Sequence, residues 1–237
     1  MEQTIMNNLG FPILSTLIFL PIAGAALLLL ISRSNENLIK WFSLIVSIAA
    51  FIISIPLFAE FNKSTHLMQF TEKHAWIPSL NINYHLGIDG VSVLFVLLST
   101  LITILCVLIS WNSIKTKTKE FYISILIMEG AMIGVFCSLD FMLFYLSWEA
   151  MLIPMYLLIG VWGGTNRIYA AVKFFLFTLV GSVLMLIGII VLYYQAGRTF
   201  DILELMTKTY SYKLQLWLFW AFFAAFAVKV PMFPVHT

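Results

Sequence analysis

Seven long, mostly apolar stretches dominate this sequence and constrain its fold more than any other feature. A helix needs about 20 apolar residues to cross the hydrocarbon core of a bilayer, where it satisfies its own backbone hydrogen bonds. The stretches are residues 11–31, 41–59, 90–114, 121–139, 141–162, 174–195 and 214–237. The pattern predicts an all-α fold, a polytopic transmembrane helical bundle of about seven spans.

The composition excludes most other classes of protein. Of 237 residues, 62% are hydrophobic and 10% are charged, whereas a soluble domain carries about 25% charged residues. So few charges rule out a soluble enzyme, a disordered chain and a secreted disulfide scaffold. The net charge of +2 is too small to indicate a nucleic-acid partner. Cys106 and Cys137 lie inside apolar stretches, which favours small core residues over a disulfide or a metal site.

The distribution of Lys and Arg predicts an orientation. Short cytoplasmic connections are enriched in these residues. One set of short loops carries Arg33, Lys40, Lys115, Lys117, Lys119 and Arg167. The opposite set is longer and carries Lys63, Lys73, Arg198, Lys208 and Lys213. We therefore expect the N-terminus outside and the loop at 115–119 in the cytoplasm.

The longest connection, residues 60–89, lies on the outer side in this orientation. Leu80, Ile82, Tyr84 and Leu86 alternate with polar residues there, which is the period of a strand. A short hairpin against the membrane domain or against a partner is the expectation.

Several polar residues of the outer side lack a functional pattern. The histidines of the long connection show no metal-ligand spacing and are read as solvated loop residues: His66, His74 and His85. Asp140, between two spans, is read as a solvated turn residue.

Three ionisable residues fall inside predicted spans: Glu129, Glu149 and Lys229. Each costs about 2.5–3.5 kcal/mol at the centre of a transmembrane helix if it is unpaired. Counted from the tight turn at Asp140, both glutamates lie roughly 14–16 Å deep at 1.5 Å per residue, and Lys229 lies at a similar depth. Intramembrane charges mark ion or proton paths by default. A buried ion pair that only fixes helix packing is the alternative.

Prolines next to these charges predict broken helices. Pro231 and Pro234 follow Lys229, and each lacks an amide hydrogen, so the carbonyls of Ala227 and Val230 lose their helical partners. Pro154 similarly frees the carbonyl of Ala150 after Glu149. A helix broken at mid-membrane beside a charge is how many transporters build an ion site.

Lys173 lies at the margin of the predicted span 174–195. A lysine at a span end can extend its ammonium group to the interface, and a place in the polar path is the alternative.

Residues 143–163, with the Trp-Glu-Ala-Met-Leu-Ile-Pro-Met-Tyr run at 148–156, resemble the fifth helix of the M-type (ND4-type) subunits of NADH-quinone oxidoreductase, respiratory complex I. Residues 167–185 resemble the sixth helix of these subunits, 226–236 resemble the broken seventh helix, and 86–92 resemble the entry to the third. The Lys-x-Pro run is shared with the wider family of antiporter-like subunits. Only the 148–156 run is specific to the M type.

The resemblance implies a fourteen-helix, inverted-repeat fold with a proton half-channel coupled to quinone reduction elsewhere in the complex. Glu149 matches the essential helix-five glutamate of the family and Lys229 its helix-seven lysine, and Lys173 aligns with a helix-six lysine. Glu129, at the same depth in its own span, is expected to modulate this site as a further residue of the proton path. NADH, FMN, iron–sulfur clusters and quinone belong to other subunits of such a complex, so this chain is expected to bind no cofactor and no metal.

The resemblance also implies partners, a location and a domain division. The partners are other membrane subunits of complex I, especially neighbouring antiporter-like subunits, and the lipid bilayer of a bacterial inner (plasma) membrane. Residues 1–120 form three spans with the external loop 60–89, and 121–237 begin the first antiporter-like half, ending within its broken seventh helix. Family members are about twice as long, so an N-terminal part that does not pump alone is expected. A subunit of a multisubunit sodium/proton antiporter and a structural membrane scaffold are the alternatives.

Overall fold

The structure is a computed structural model that describes residues 4–6 and 10–235. Its helices are α1 (Ile13–Leu28), α2 (Glu36–Ala59), α3 (Gly90–Ser113), α4 (Thr118–Cys137), α5 (Phe141–Ala150), α6 (Leu152–Trp162), α7 (Arg167–Gln195), α8 (Ile202–Met206) and α9 (Tyr212–Lys229). Its strands are β1 (Thr4–Met6), β2 (Met68–Ile77) and β3 (Ile82–Ile88), and a 3-10 turn covers Pro78–Leu80.

The transmembrane helical bundle is confirmed. Within the described residues, five helical segments are long and apolar enough to cross a membrane: α2, α3, α4, the α5–α6 pair and α7. Every predicted stretch contains a helix, but two of them fall short of that criterion. Helix α1 has 16 residues, a length of about 24 Å. Helix α9 has 18 residues, and Lys213, Gln215 and Lys229 lower its hydropathy. The end of the last predicted span, 236–237, lies outside the described residues.

The predicted hairpin is confirmed, and it lies against the membrane domain. Strands β2 and β3 pair antiparallel, and β1 adds a parallel strand beyond β2. Asn81 closes the turn in the left-handed conformation with φ of 52°, which asparagine tolerates better than most residues. Leu86 and Ile88 are fully buried in one apolar cluster with residues of α1 and α4. The His85 carbonyl accepts a 2.8 Å hydrogen bond from Leu139 N, which fixes the hairpin to the α4–α5 turn.

Helices α1 and α4 approach each other closely at Gly130. A Cβ atom there would lie 2.6 Å from the carbonyl oxygen of Ile18 and 2.7 Å from Cγ1 of Ile22. Real contacts of a Cβ atom do not reach such distances, so the packing of these two helices requires glycine at this position. The hairpin packs at the end of the α1–α4 contact that contains Ile13 and Cys137.

The reading of Asp140 as a solvated turn residue is wrong. Asp140 is fully buried and caps α5, where its Oδ1 accepts hydrogen bonds from Met142 N and Leu143 N. Its Oδ2 accepts a 3.0 Å bond from Asn83 N of the hairpin. The residue is buried because the hairpin covers this turn, a contact that no local pattern reveals. Burial raises the pKa of Asp140, and the three backbone hydrogen bonds lower it by less.

The reading of His85 as solvated is also wrong, whereas His66 and His74 are exposed. His85 is buried, and its Nδ1 lies 2.9 Å from Oδ2 of Asp201, next to the start of α8. Lys73 Nζ donates to the same oxygen at 2.8 Å. Burial favours a raised pKa for Asp201, but the hydrogen bonds and charges of His85 and Lys73 outweigh it and hold the pKa below its ordinary value. These three side chains join the hairpin to the α7–α8 connection.

Candidate functional site

Glu149 and Lys229 lie at helix ends inside the bundle. Glu149 is the penultimate residue of α5, which stops at Ala150, and α6 starts at Leu152 after a break at Met151. Lys229 is the last residue of α9. Pro154 lies in the first turn of α6, where a missing amide hydrogen is tolerated. The interruption beside Glu149 is limited to Met151, which keeps helical dihedral angles (φ −72°, ψ −22°).

Lys229 is bound to the residue next to Glu149. Its Nζ donates to the carbonyl oxygen of Trp148 at 3.4 Å and lies 4.6 Å from the centroid of the Trp148 ring. An ammonium group within about 6 Å of an indole face is attracted by its quadrupole. Trp148 also packs edge-to-face on Phe226 of α9, with 5.3 Å between ring centroids. This contact joins α5 to α9 at the level of the charges.

Glu149 interacts electrostatically with Lys229, but the two are not in direct contact. Among the residues that the structure describes, no ion pair within 4.0 Å includes Lys229. Oxygen Oε1 of Glu149 is buried without a hydrogen-bond partner. Lys229 therefore packs on α5 beside Glu149, but more than 4.0 Å separates its ammonium nitrogen from the Glu149 carboxylate oxygens.

Tyr145 supplies a polar contact that the sequence reasoning missed. Its hydroxyl lies close enough to the side chains of Glu149 and of Ser182 on α7 to interact with both. Tyr145 precedes Glu149 by one helical turn, so both project from the same face of α5. That spacing was the available signal, although an aromatic residue at such a spacing is an ordinary feature of an apolar helix. The Glu149 carboxylate therefore has a polar neighbour, Tyr145, on its own helix, and it interacts with Lys229 of α9.

Glu129 stands apart from this pair. It is fully buried in α4, and neither of its carboxylate oxygens has a hydrogen-bond partner among the described residues. Leaving a buried polar group unsatisfied costs about 1–3 kcal/mol, and more for a charge. The structure gives no hydrogen bond or ion pair that connects Glu129 to Glu149 or Lys229 within the described part of the chain.

Lys173 and Lys229 line one cavity of about 520 Å³ between α6, α7 and the end of α9. Pro231 and Thr178 also line it. The side chain of Lys173 is exposed, and its Nζ lies 5.9 Å from the centroid of the Tyr169 ring. The structure therefore brings Lys173 to the same space as Lys229 and leaves Glu129 outside it.

Helix α9 ends before the two prolines, as predicted, and the Ala227 carbonyl finds a substitute for the helical partner that it loses. The amide of Met232 donates to that oxygen at 2.8 Å. This bond replaces the one that residue 231 would make in a continued helix, since Pro231 has no amide hydrogen. Pro231 and Pro234 thus end the helix directly after Lys229.

Residues 138–237 match the family model described as "NADH:quinone oxidoreductase/Mrp antiporter, TM". Along most of its length the chain is 46% identical to NADH-ubiquinone oxidoreductase chain 4 of Arabidopsis thaliana, with 94% of this chain and 45% of the relative covered. It is 45% identical to NADH-quinone oxidoreductase subunit M of Rhodobacter capsulatus, with 98% and 47% covered. The chain therefore spans about half the length of the curated relatives it matches.

Solved structures show the same fold. A chain of respiratory complex I from Thermus thermophilus superimposes with a TM-score of 0.81 at 30% identity, covering 94% of this chain and 45% of that one. A chain of the Mrp complex from Dietzia sp. superimposes with a TM-score of 0.78 at 15% identity, covering 91% and 23%. The second likeness concerns the fold alone.

Proposed function

We propose that this chain, which is similar over most of its length to subunit M of NADH-quinone oxidoreductase, forms a proton half-channel in a proton-pumping NADH:quinone oxidoreductase. NADH, FMN, the iron–sulfur clusters and quinone act in other subunits of that complex. The chain contributes proton translocation and no redox chemistry of its own.

The observation that carries this proposal is the placement of Lys229 beside Trp148 and within electrostatic range of Glu149. An ionised Glu149 favours the charged form of Lys229, and burial favours the neutral form. Movement or protonation of Glu149 then favours release of a proton from Lys229. The gap between the two groups suits such a switch, since a tight ion pair would hold both charges in place.

Further residues extend the proposed path. Lys173 faces the cavity of Lys229 and is a second proton site on the cytoplasmic side. Tyr145 lies one helical turn before Glu149, on the same face of α5. Glu129 modulates the site from α4, and the breaks at Pro231 and Pro234 open the end of α9 toward the cavity.

The chain acts in a bacterial inner (plasma) membrane with its N-terminus outside. The excess of Lys and Arg in short loops on one side supports this orientation,. Its partners are other membrane subunits of the complex, in particular neighbouring antiporter-like subunits. Residues 1–120, including the external segment 60–89, precede an antiporter-like unit that begins at 121 and corresponds to part of a fourteen-helix inverted-repeat fold.

The test uses the whole subunit assembled in its complex and reconstituted in vesicles. Glu149→Gln and Lys229→Ala should each reduce proton pumping per NADH oxidised at least tenfold, because each removes one charge of the switch. Lys213→Ala is the matched control, since Lys213 is an exposed lysine at the opposite end of the same helix. Unchanged pumping by either variant in correctly assembled complexes would refute the roles of these residues.

The family description also names Mrp antiporters, so a subunit of a multisubunit sodium/proton antiporter is the second candidate. Sodium-dependent proton exchange in vesicles without any redox partner would favour it. A scaffold role is the remaining outcome of the same test: both variants would then impair assembly but leave pumping per assembled complex unchanged.

A further inference from the structure

The two faces of the bundle differ strongly in charge. One face, which we call the basic face, contains the α1–α2 and α3–α4 connections and the start of α7. It carries six basic residues and two acidic residues, a net charge of +4: Arg33, Lys40, Lys115, Lys117, Lys119, Arg167, Glu36 and Glu120. Among the described residues, the opposite face carries five basic and six acidic residues, a net charge of −1. Anionic lipid headgroups are attracted to a surface such as the basic face.

Tryptophans place the basic face at the depth of lipid headgroups. Trp41 and Trp111 pack edge-to-face with 5.2 Å between ring centroids. Trp162 packs in the same way on Phe121 at 5.2 Å, and its indole nitrogen donates to the carbonyl oxygen of Thr116 at 2.9 Å. Tryptophan concentrates at the membrane–water interface. The connections directly beyond these rings therefore lie among the headgroups.

A cavity of about 360 Å³ opens in the basic face. Arg33, Lys117, Glu120 and Ser124 form its polar side, and its apolar side consists of Leu157, Val161 and Trp162. A guanidinium nitrogen of Arg33 lies 2.6 Å from a carboxylate oxygen of Glu120, and the Arg33 side chain is 77% exposed. Lys117 is exposed, and its ammonium group has no partner among the described residues. The cavity thus holds two cations and one anion that is already paired.

We propose that this cavity binds the phosphate headgroup of an anionic phospholipid. Lys117 supplies a free ammonium donor, and Arg33 keeps further N–H donors besides those that face Glu120, since a guanidinium group has five. Pairing with Arg33 offsets the repulsion between Glu120 and the phosphate. Charge-assisted hydrogen bonds from Arg and Lys are the usual means of phosphate recognition in proteins.

The apolar side of the cavity distinguishes a lipid from a free phosphate ion. Leu157, Val161 and Trp162 continue along α6 into the membrane, so an acyl chain that leaves the headgroup has an apolar wall to follow. A soluble phosphate would use only the polar half of the cavity. The proposal therefore commits to a lipid with an anionic headgroup, and it does not depend on proton transport by this chain.

The test is photo-crosslinking of the whole subunit in its purified complex by phosphatidylglycerol with a diazirine in its acyl chain, mapped by peptide mass spectrometry. Labelling should concentrate on residues 152–162, and unlabelled phosphatidylglycerol should compete for it. Lys117→Gln and Arg33→Gln should each weaken the competition about fivefold, the effect of about 1 kcal/mol per basic residue near a membrane surface. Glu120→Gln should strengthen it, because it removes the only acid of the cavity. Lys117→Arg should preserve binding.

Lys115→Gln is the matched control, because Lys115 is an exposed lysine of the same connection that does not line the cavity. An equal loss for Lys115→Gln and Lys117→Gln would overturn the proposal in favour of diffuse surface attraction. Equal labelling by phosphatidylcholine with the same acyl chains would show that the headgroup is not recognised. Competition by soluble glycerol phosphate as effective as that by phosphatidylglycerol would reassign the cavity to free phosphate.

Discussion

Replacing Asp201 by asparagine should separate the hairpin from the α7–α8 connection without disturbing the helix cap. Oδ1 of Asp201 caps α8 by accepting from Leu203 N and Glu204 N, and asparagine caps helices as well as aspartate does. Oδ2 accepts from His85 and Lys73. Asp201→Asn therefore removes the charge-assisted bonds to the hairpin and keeps the bonds to the helix.

The expected loss follows from the burial of each partner. The bond to buried His85 is worth about 1.5–3 kcal/mol, as for other hydrogen bonds to a charged group. The Lys73 side chain is 47% exposed, so solvent screening limits its ion pair to about 0.2–1 kcal/mol. The free energy of unfolding should fall by about 2–4 kcal/mol, which corresponds to roughly 4–16 °C in melting temperature for a chain of this size.

Thermal denaturation of the whole subunit in detergent is the assay, with Asp89→Asn as the matched control. Asp89 caps α3 with Oδ1 and makes no ion pair among the described residues. Asp89→Asn should change stability by less than about 0.5 kcal/mol. Equal melting temperatures for the Asp201→Asn and Asp89→Asn proteins would refute the assignment of Asp201 as the link to the hairpin.

The same residue predicts a pH dependence. Because the folded protein holds the pKa of Asp201 below its ordinary value of 3.8, its contribution to stability is fully present above that pH. It is lost as the pH falls from about 3.8 toward the folded-state pKa. The melting-temperature difference between wild type and Asp201→Asn should accordingly shrink below pH 4. A difference that grows on acidification would contradict this sign.

Two further perturbations test how α1 is held. Gly130→Ala places a methyl group against the Ile18 carbonyl, so overpacking should destabilise the subunit by about 1–3 kcal/mol. Gly164→Ala is the control and should not destabilise it, because a Cβ atom at residue 164 meets nothing within 4 Å. Equal shifts in melting temperature for the two variants would exclude the close approach of α1 and α4 at Gly130. Glu72→Gln weakens the carboxylate that accepts from Leu14 N at 2.9 Å and from Ser15 N at 3.2 Å, so amide hydrogen exchange in the first turn of α1 should accelerate by roughly fivefold, for about 1 kcal/mol of lost capping. The exposed Glu60→Gln should leave that exchange unchanged, and the same acceleration in both proteins would exclude capping by Glu72.

The sequence predicted the spans well because the bilayer imposes a simple rule. A segment must be apolar over the membrane thickness and must satisfy its backbone by helix formation, so composition and length alone locate α2, α3, α4 and α7. The hairpin was likewise visible in the alternation around Tyr84. Helix α1 was predicted too long, since it begins after Pro12 and ends at Leu28, and neither end follows from hydropathy.

The candidate site was predictable in its residue types and depths and unpredictable in its contacts. Glu149 and Lys229 could be identified because a charged side chain inside the membrane costs free energy and is usually functional. That Lys229 binds the Trp148 carbonyl and leaves a gap to Glu149 depends on how α9 rotates against α5. The role of Tyr145 depends on where Ser182 of α7 lies. Depth follows from counting residues along one helix, whereas rotation depends on the packing of several.

The sequence by itself identified a helical membrane protein, its resemblance to a known family, and the few ionisable residues that lie inside apolar spans. Only the tertiary structure decided that Asp140 and His85 are buried, that Glu129 is separate from the pair, and that Lys173 shares a cavity with Lys229. The physical reason is the range of the forces. The hydropathy of a segment depends on its own consecutive residues and on the solvent around them, so it can be calculated from the sequence. Burial and pairing of single polar groups depend on segments such as the hairpin and α8, which are distant along the chain and meet only in the fold.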